Sequence, residues 1–269
     1  MHRANVLLVI ATLFVVGQSA RGDWPNQNPT KWVQRPDESI TGMDVRATVP
    51  TILADDFRCD FTGPISDVHI WGSWFEDHLP QPVIGGPGDP TAVDFKLSFH
   101  ADVPRNGDIP SHPGQELWQR IMPAGSFVAR VWKVEQDFPE FFFDPNVKDI
   151  VGTDHTIWQY NFLIPPPEAF IQHQGNIYWL DVQALPHDAN AVFGWKTSLD
   201  HFNDDASFSN VPFGAPPVVW DDMIYPQTHP FHGQSIDLAF ALTTVPEPVS
   251  FGPILGSLIW FSSTRRRHR

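Results

Sequence analysis

Cysteine is nearly absent from this sequence of 269 residues, and so is the periodicity of long helices. Cys59 is the only cysteine, so no disulfide bond can form within the chain. Proline occurs 27 times, roughly double the usual ~5%, which is too dense for long helices. These shortages exclude a disulfide-stapled scaffold, a helical bundle and a coiled coil. Alternation places Cys59 on one face with Phe57 and Phe61, which predicts a buried, unreactive thiol.

Basic residues are also few, with 17 Lys and Arg against 31 Asp and Glu, a formal net charge of -14. Six Arg and one Glu lie near the two ends, so residues 23–244 keep 11 basic and 30 acidic residues, a charge near -19. Such a segment repels nucleic acid and anionic lipid, and it favours cations and basic partners. We therefore exclude nucleic acid as a partner.

The first 22 residues have the pattern of a secretory signal peptide. Arg3 precedes an uncharged run over residues 6–16, and the small residues Ala20 and Gly22 precede Asp23. The alternative is a membrane anchor, but 11 residues at ~1.5 Å each reach about 17 Å, against a hydrocarbon core of ~30 Å. We therefore predict cleavage before Asp23 and export of the chain.

Residues 245–269 combine a short apolar run with a basic end. The apolar residues 249–261 span about 20 Å, short for a bilayer, and the basic end should stay on the cytoplasmic side. This composition predicts transient retention in the inner membrane. The residues that define the segment are Val245, Pro246, Glu247 and Pro248 before the run, and Arg265, Arg266 and Arg267 after it.

That C-terminal segment resembles the PEP-CTERM sorting signal of bacterial envelope proteins. The resemblance covers about 25 residues, and its three elements occur in the expected order, paired with a signal peptide. It implies that an exosortase-type sorting enzyme processes the chain near the Pro-Glu-Pro element. The chain would be associated with the inner membrane before processing and reside at the cell surface or outside the cell afterwards. An ordinary C-terminal membrane anchor is the alternative.

Strand patterns dominate residues 23–244. Val93, Phe95 and Leu97 alternate with Asp94 and Lys96, and similar segments recur at short spacing with turn-forming residues between them. This organisation predicts a single all-β domain, an antiparallel β-sandwich of jelly-roll-like or related topology. Short helical turns are predicted at 110–120 and 166–173. Strands are predicted at 65–75, 93–101, 126–134, 156–164, 176–184, 191–198 and 235–242.

Several segments of this domain also resemble a family of uncharacterised secreted bacterial proteins. The matching segments are residues 55–57, 64–74, 111–114, 177–182 and 193–198. The resemblance implies export and a β-rich domain. It implies no particular activity.

Aspartate clusters are the candidate cation ligands. Asp55, Asp56 and Asp60 form the predicted metal site, for a structural Ca²⁺, and solvated loop charge is the alternative. None of the clusters has EF-hand spacing. Adjacent Asp55 and Asp56 point to opposite faces of a regular strand, so both reach one ion only if the strand ends or bulges there. The other clusters are Asp200, Asp204 and Asp205 with Asn203, and Asp221 with Asp222.

Tryptophan supplies the candidate ligand-binding residues. Trp71, Trp74 and Trp195 lie in predicted strands, where exposed indoles would stack on sugar rings and nearby Asp or Asn would bond hydroxyls. The alternative is a core role, because a sandwich without disulfides needs large buried side chains. Trp71 and Trp74 are three positions apart, so a regular strand directs them to opposite faces.

These features predict an exported, non-catalytic protein of the cell surface or extracellular matrix, which binds extracellular polysaccharide or contributes to its structure. No His-Glu-x-x-His motif, nucleophile elbow or phosphate loop occurs, so no catalytic residue is assigned. A secreted polysaccharide hydrolase is the alternative, because two carboxylates that act together need not be close in sequence. A third possibility is an envelope component with no ligand.

Overall fold

The structure is a computed structural model, and it describes residues 24–25 and 28–245. Strands and turns make up this part of the chain, with two single 3-10 turns at Phe75–Asp77 and Pro166–Glu168 and no α-helix. No helix in it is long and apolar enough to cross a membrane. The predicted signal peptide, and the sorting signal beyond Val245, lie outside the described residues.

Eighteen strands follow one another along the described chain. They are β1 (Thr30–Gln34), β2 (Met43–Arg46), β3 (Thr51–Arg58), β4 (Gly63–Ile65), β5 (Asp67–Trp74), β6 (Val93–Val103), β7 (His112–Met122), β8 (Val128–Val134), β9 (Glu140–Asp144), β10 (Asp149–Asp154), β11 (Thr156–Leu163), β12 (Phe170–Gln172), β13 (Ile177–Pro186), β14 (Phe193–Ser198), β15 (Ser207–Asn210), β16 (Asp221–Asp222), β17 (Asp237–Leu238) and β18 (Phe240–Thr243).

The strands form an antiparallel β-sandwich, as the sequence predicted. Ten strands make the larger sheet, in the order β1-β18-β5-β14-β2-β9-β10, with β11 and β8 extending from β5 and β17 pairing with β14. Six strands make the second sheet, in the order β16-β15-β3-β13-β6-β7. Strands β4 and β12 pair with each other, and β2 and β9 run parallel. Strand β5 is central, because it pairs with β11, β18 and β14.

Apolar side chains from both sheets fill the space between them. Phe95, Leu97 and Phe99 of β6 point inward and are fully buried, in the alternation the sequence shows. Aromatic rings meet mostly edge to face; Phe95 contacts Phe193 at a centroid distance of 5.1 Å. Cys59 is buried, as predicted, but Phe61 is exposed because strand β3 ends at Arg58.

Each of the seven predicted strand segments overlaps a strand of the structure, whereas one predicted turn is wrong. Of residues 110–120, those from His112 onward belong to β7, which pairs with β6 and alternates in exposure along its length. Its proline, Pro113, is tolerated because β7 is the edge of its sheet. The prediction at 166–173 is partly correct, since the 3-10 turn at Pro166–Glu168 leads directly into β12.

The outer face of the six-stranded sheet is covered as well. Lys96 and His100 point away from the core, yet both are buried. Gln183 donates from Nε2 to the carbonyl of Val211 at 3.0 Å, and Trp220 contacts the ring of His100. Part of a face that alternation alone would leave in water is therefore covered.

Candidate functional site

The three tryptophans predicted to bind sugar are buried, so that prediction is wrong. Trp71 and Trp195 have no exposed surface and Trp74 is 1% exposed. The Trp74 indole donates to the Tyr160 hydroxyl at 2.9 Å, and that of Trp195 donates to the carbonyl of Ala239 at 2.8 Å. An indole enclosed in this way offers no face to a sugar ring, and its role is to fill the core.

Trp71 and Trp74 do lie on opposite faces of β5, as their spacing predicted. Trp74 belongs to the main core between the sheets, and Trp71 to a small apolar cluster on the outer face. Trp24 and Trp132 cover Trp71 there, each at a ring-centroid distance of 5.5 Å in edge-to-face contact. The outer face is therefore covered by other indoles rather than open to a ligand.

The aspartates predicted to hold calcium do not converge, so this site is corrected too. Asp55 points between the sheets and accepts from Gln34 Nε2 at 2.8 Å and from the backbone N–H of Leu238 at 2.6 Å. Its other oxygen accepts from the N–H of Asp56 at 2.8 Å. Burial, then repulsion from Asp237 and Asp56, raises the pKa of Asp55 well above its ordinary value. These donors join the two sheets and leave no oxygen of Asp55 for a cation.

Asp56 and Asp60 have separate partners. Asp56 points to the opposite face from Asp55 and accepts from Asn203 Nδ2 at 2.6 Å. Burial raises its pKa to about 8, with smaller contributions from neighbouring carboxylates against the Asn203 hydrogen bond. Asp60 is half exposed and pairs with Arg58 Nε at 2.9 Å. The regular geometry of β3 accounts for the separation of Asp55 and Asp56, since neighbouring side chains on a strand point in opposite directions.

A surface groove of about 440 Å³ lies beside β15 and β16, and we call it the aspartate groove. Its floor includes the almost fully buried side chains of Phe208, Met223 and Tyr225, so it is largely apolar. Its rim is polar and carries two carboxylates. The lining residues are Phe143, Pro145, Lys148, Asp205, Phe208, Asp222, Met223, Ile224, Tyr225, Pro226, Gln227 and His232.

Asp222 is the carboxyl group of the groove whose pKa is shifted. Burial raises its pKa, and the nearby charges of Asp205, Asp204 and Asp221 raise it further, against attraction from His112. A carboxyl group with a raised pKa keeps its proton to a higher pH and is then a hydrogen-bond donor as well as an acceptor. The rim therefore offers donors and acceptors above an apolar floor.

A hydrogen-bonded network braces the rim from behind. Asp204 accepts from the backbone N–H of Ser111 at 3.0 Å and from its hydroxyl at 2.9 Å, and it pairs with Arg105. Burial acts to raise the pKa of Asp204, but Arg105 and Ser111 outweigh it and the pKa is lowered. Asn203 joins Ser111 to Asp56. Asp56 and Asp204, from two of the sequence clusters, are thus brought into one network.

A second group of charged side chains is enclosed in the larger sheet, and we call it the Lys196 cluster. It consists of Lys196 and three carboxylates, Asp44, Glu140 and Asp154, each at most 2% exposed. Lys196 Nζ lies 2.6 Å from Glu140 Oε2 and 3.3 Å from Asp44 Oδ2. One oxygen from each of the three carboxylates lies within 4.8 Å of the others. Sequence analysis missed this cluster, because its members come from β2, β9, β10 and β14 and share no motif.

The charges of the Lys196 cluster strongly perturb one another. Burial raises the pKa of Asp44, against Lys196, and raises that of Glu140 to about 7. Burial and then Asp44 raise the pKa of Asp154 well above its ordinary value. Burial acts to lower the pKa of Lys196, but the three carboxylates outweigh it and the pKa is raised. The ammonium pairs with two of the three carboxylates, Asp44 and Glu140, so the cluster is an ammonium–carboxylate centre.

A protein-family model matches residues 30–243, the span from β1 to β18. Comparison with curated proteins finds no match, and neither does comparison with solved structures. The matched span contains both the aspartate groove and the Lys196 cluster. The chain belongs to the DUF7901 family, a domain of unknown function.

Proposed function

We propose that this chain is an exported, non-catalytic protein of the cell surface or extracellular matrix that binds glycan in the aspartate groove. The observation that carries the proposal is the combination of an apolar floor and a rim with Asp205, Asp222 and Gln227. The C–H faces of sugar rings suit such a floor, and carboxylate and amide groups bond their hydroxyls. The groove replaces the buried tryptophans as the proposed binding site.

The negative charge at the rim of the aspartate groove limits which glycans can bind there. Asp205 and Asp222 line the groove, Asp204 lies close behind, and Lys148 is the one lysine or arginine among the described residues of the lining, so acidic groups outnumber it; the whole chain has a net charge of -14. A sulfated or uronic acid polymer would meet repulsion there. We therefore propose a neutral glycan, or one that carries amino groups.

Binding of the purified full chain to insoluble polysaccharides tests the proposal. We expect retention on a neutral or amino-bearing polymer and little on a uronic acid polymer, with at least a tenfold weaker affinity for Asp205→Ala combined with Asp222→Ala. Asp221→Ala is the matched control, because Asp221 is exposed on the same strand but does not line the groove. Equal binding by the double variant and the control would place the glycan elsewhere, and no retention on any polymer would remove the proposal.

A secreted polysaccharide hydrolase is the second candidate, and the pair Asp205 and Asp222 favours it. Two carboxyl groups in one groove, one with a raised pKa, have the composition of a glycosidase acid and its partner. Release of reducing ends from a retained polymer, lost in Asp222→Ala, would establish hydrolysis. Retention without any release would establish binding alone.

Export and processing are proposed from the two ends of the sequence. The signal peptide and the PEP-CTERM-like segment support passage across the inner membrane, processing by an exosortase-type enzyme and residence outside the cell. Cell fractionation with mass analysis of the chain termini tests this. We expect both ends to be shortened in the surface fraction, and an intact chain in the cytosol would contradict it.

A further inference from the structure

The Lys196 cluster has features that a function at the protein surface does not require. Lys196 is directly opposite Asp44 in the register of β14 and β2, and both side chains are fully buried. Its amine lies within hydrogen-bond distance of Glu140, on neighbouring β9. Neither oxygen of Asp154 accepts a hydrogen bond of normal geometry from any described residue, and one oxygen of Asp44 is in the same position. An ion pair held this way is costly, because desolvation of each charge opposes the attraction.

Gly42 leaves the space beside the Lys196 amine free of a side chain. At Gly42 an added Cβ would lie 2.7 Å from Lys196 Nζ, 2.7 Å from Glu140 Oε1 and 2.6 Å from the carbonyl oxygen of Asp37. Any other residue there would displace the amine or Glu140. Glycine is therefore needed to bring the amine and the two carboxyl groups together in the closed interior.

We propose that the amine of Lys196 and the carboxyl group of Asp44 condense to form an intramolecular isopeptide bond, with Glu140 transferring the protons. The new bond joins Nζ to Cγ of Asp44, and one carboxyl oxygen of Asp44 leaves. The ammonium gives up two protons, which leave with that oxygen as one water molecule, so no electrons are transferred and no further reactant is needed.

The geometry favours this reaction in three ways. Nζ is 3.3 Å from Asp44 Oδ2, an oxygen bonded to the Cγ that the amine would attack, so the two groups are held together at a high effective concentration. Condensation replaces two buried charges with one neutral amide, which removes their desolvation cost. Glu140 touches Nζ and also lines a cavity of about 300 Å³ with Glu38 and Glu135, which gives the water a way out. Its pKa of about 7 allows it both to take and to give a proton.

A second buried lysine provides an internal comparison. Lys96 Nζ lies 3.5 Å from Asp181 Oδ2 and 3.2 Å from Glu116 Oε2. Asp181, however, also accepts from Ser98 and from His100, and the Glu116 side chain is 26% exposed to water. The second carboxyl group beside Lys96 is therefore partly in water, whereas Glu140 beside Lys196 is buried, so we expect no bond at Lys96.

Peptide mapping of the denatured full chain tests the proposal and is independent of processing at either end. With trypsin we expect the peptide of residues 32–46 to be joined to the one containing Lys196, with a mass one water below their sum. The chain should stay uncut after Lys196 and be cut after Lys96. Glu140→Gln should give separate, full-mass peptides while its circular dichroism matches the wild type.

Two results would overturn the proposal. One is cleavage after Lys196 with a free 32–46 peptide from folded wild-type chain, and the other is a link from Lys196 to Glu140 or Asp154 in place of Asp44. Should Glu140→Gln fail to fold, the wild-type map decides alone, since it shows directly whether the amide is present.

Discussion

At the scale of single residues, the fold places acidic groups where water cannot reach them. Asp55, Asp56 and Asp154 each have a raised pKa, and in each case burial is the largest cause. Asp55 uses backbone and amide donors to join the two sheets, whereas Asp154 faces other carboxylates. Burial of this kind links the stability of the domain to pH.

Replacing Asp56 should make the stability less sensitive to pH. The pKa of Asp56 is about 8 when folded, against an ordinary value of 3.8. The unfolded chain therefore loses this proton first, and stability falls as the pH rises from about 4 to about 8, by up to ~1.4 kcal/mol per unit of difference. Asp56→Asn should be more stable than wild type at pH 9 and nearly equal at pH 4, as measured by denaturant unfolding.

Asp60→Asn is the control for that experiment. Asp60 is on the same segment but half exposed, with only the neighbouring Arg58 as a partner. We expect the pH dependence of this variant to follow that of the wild type. An equal slope in all three proteins would show that Asp56 does not carry the effect.

Residue burial was the least predictable property. The choice between a core indole and an exposed one depends on what lies opposite, and for Trp71 that is Trp24, 47 positions away in the chain. The Lys196 cluster is hidden for the same reason, since its four members span residues 44–196. Local pattern carries no information about contacts that the tertiary fold creates.

At the scale of strands, the alternation of apolar and polar residues predicted the strands correctly, whereas the predicted helical turns were less accurate. The strands β6, β11 and β13 follow the predicted segments closely, because period-two burial is a property of the strand itself. Residues 110–120 were predicted to form a short helical turn, but most of them belong to β7, an edge strand that tolerates Pro113. Short strands such as β16 and β17 have too few residues for a periodic signal.

The central strand β5 depends on a glycine. A Cβ at Gly72 would lie 2.1 Å from the carbonyl oxygen of Gly194 and 2.6 Å from the ring of Phe193. Gly72→Ala should therefore destabilise the domain by about 3 kcal/mol, because backbone of the adjoining strand has to move. Denaturant unfolding measures the change.

Gly152→Ala serves as the matched comparison on β10. There an added Cβ meets only the ring of Phe75, a partly exposed side chain that can turn aside. We expect a loss below ~1 kcal/mol. Equal losses of unfolding free energy for the two variants would mean that the backbone contact at Gly72 does not make β5 more sensitive to an added Cβ than β10.

At the scale of the whole molecule, a strong negative charge surrounds a core held without disulfides. The formal net charge is -14, and Cys59 is the single cysteine. Repulsion among like charges opposes the compact state, and salt screens it within a Debye length of ~10 Å at 0.1 M. Cohesion of the domain comes from the packed core and the buried polar network.

Salt should accordingly raise the unfolding temperature, and the rise should be the same for different cations at equal ionic strength. The three aspartates predicted to bind calcium have separate protein partners, and in the Lys196 cluster the ammonium of Lys196 already pairs with Asp44 and Glu140. We expect NaCl and CaCl₂ at matched ionic strength to raise Tm equally, and a chelator to have no effect. A saturable rise specific to micromolar Ca²⁺ would show that a calcium site is present.

The pairing of β1 with β18 brings the two ends of the domain side by side, with Thr30 opposite Thr243. The first and last strands of the domain therefore lie together at one edge of the structure. β18 is hydrogen-bonded on both sides, to β1 and to β5, and beyond it the backbone N–H of Val245 donates to Ser66. A mechanical load applied at Val245 would pull along β18, and two ladders of backbone bonds would have to shear together before the strand came free.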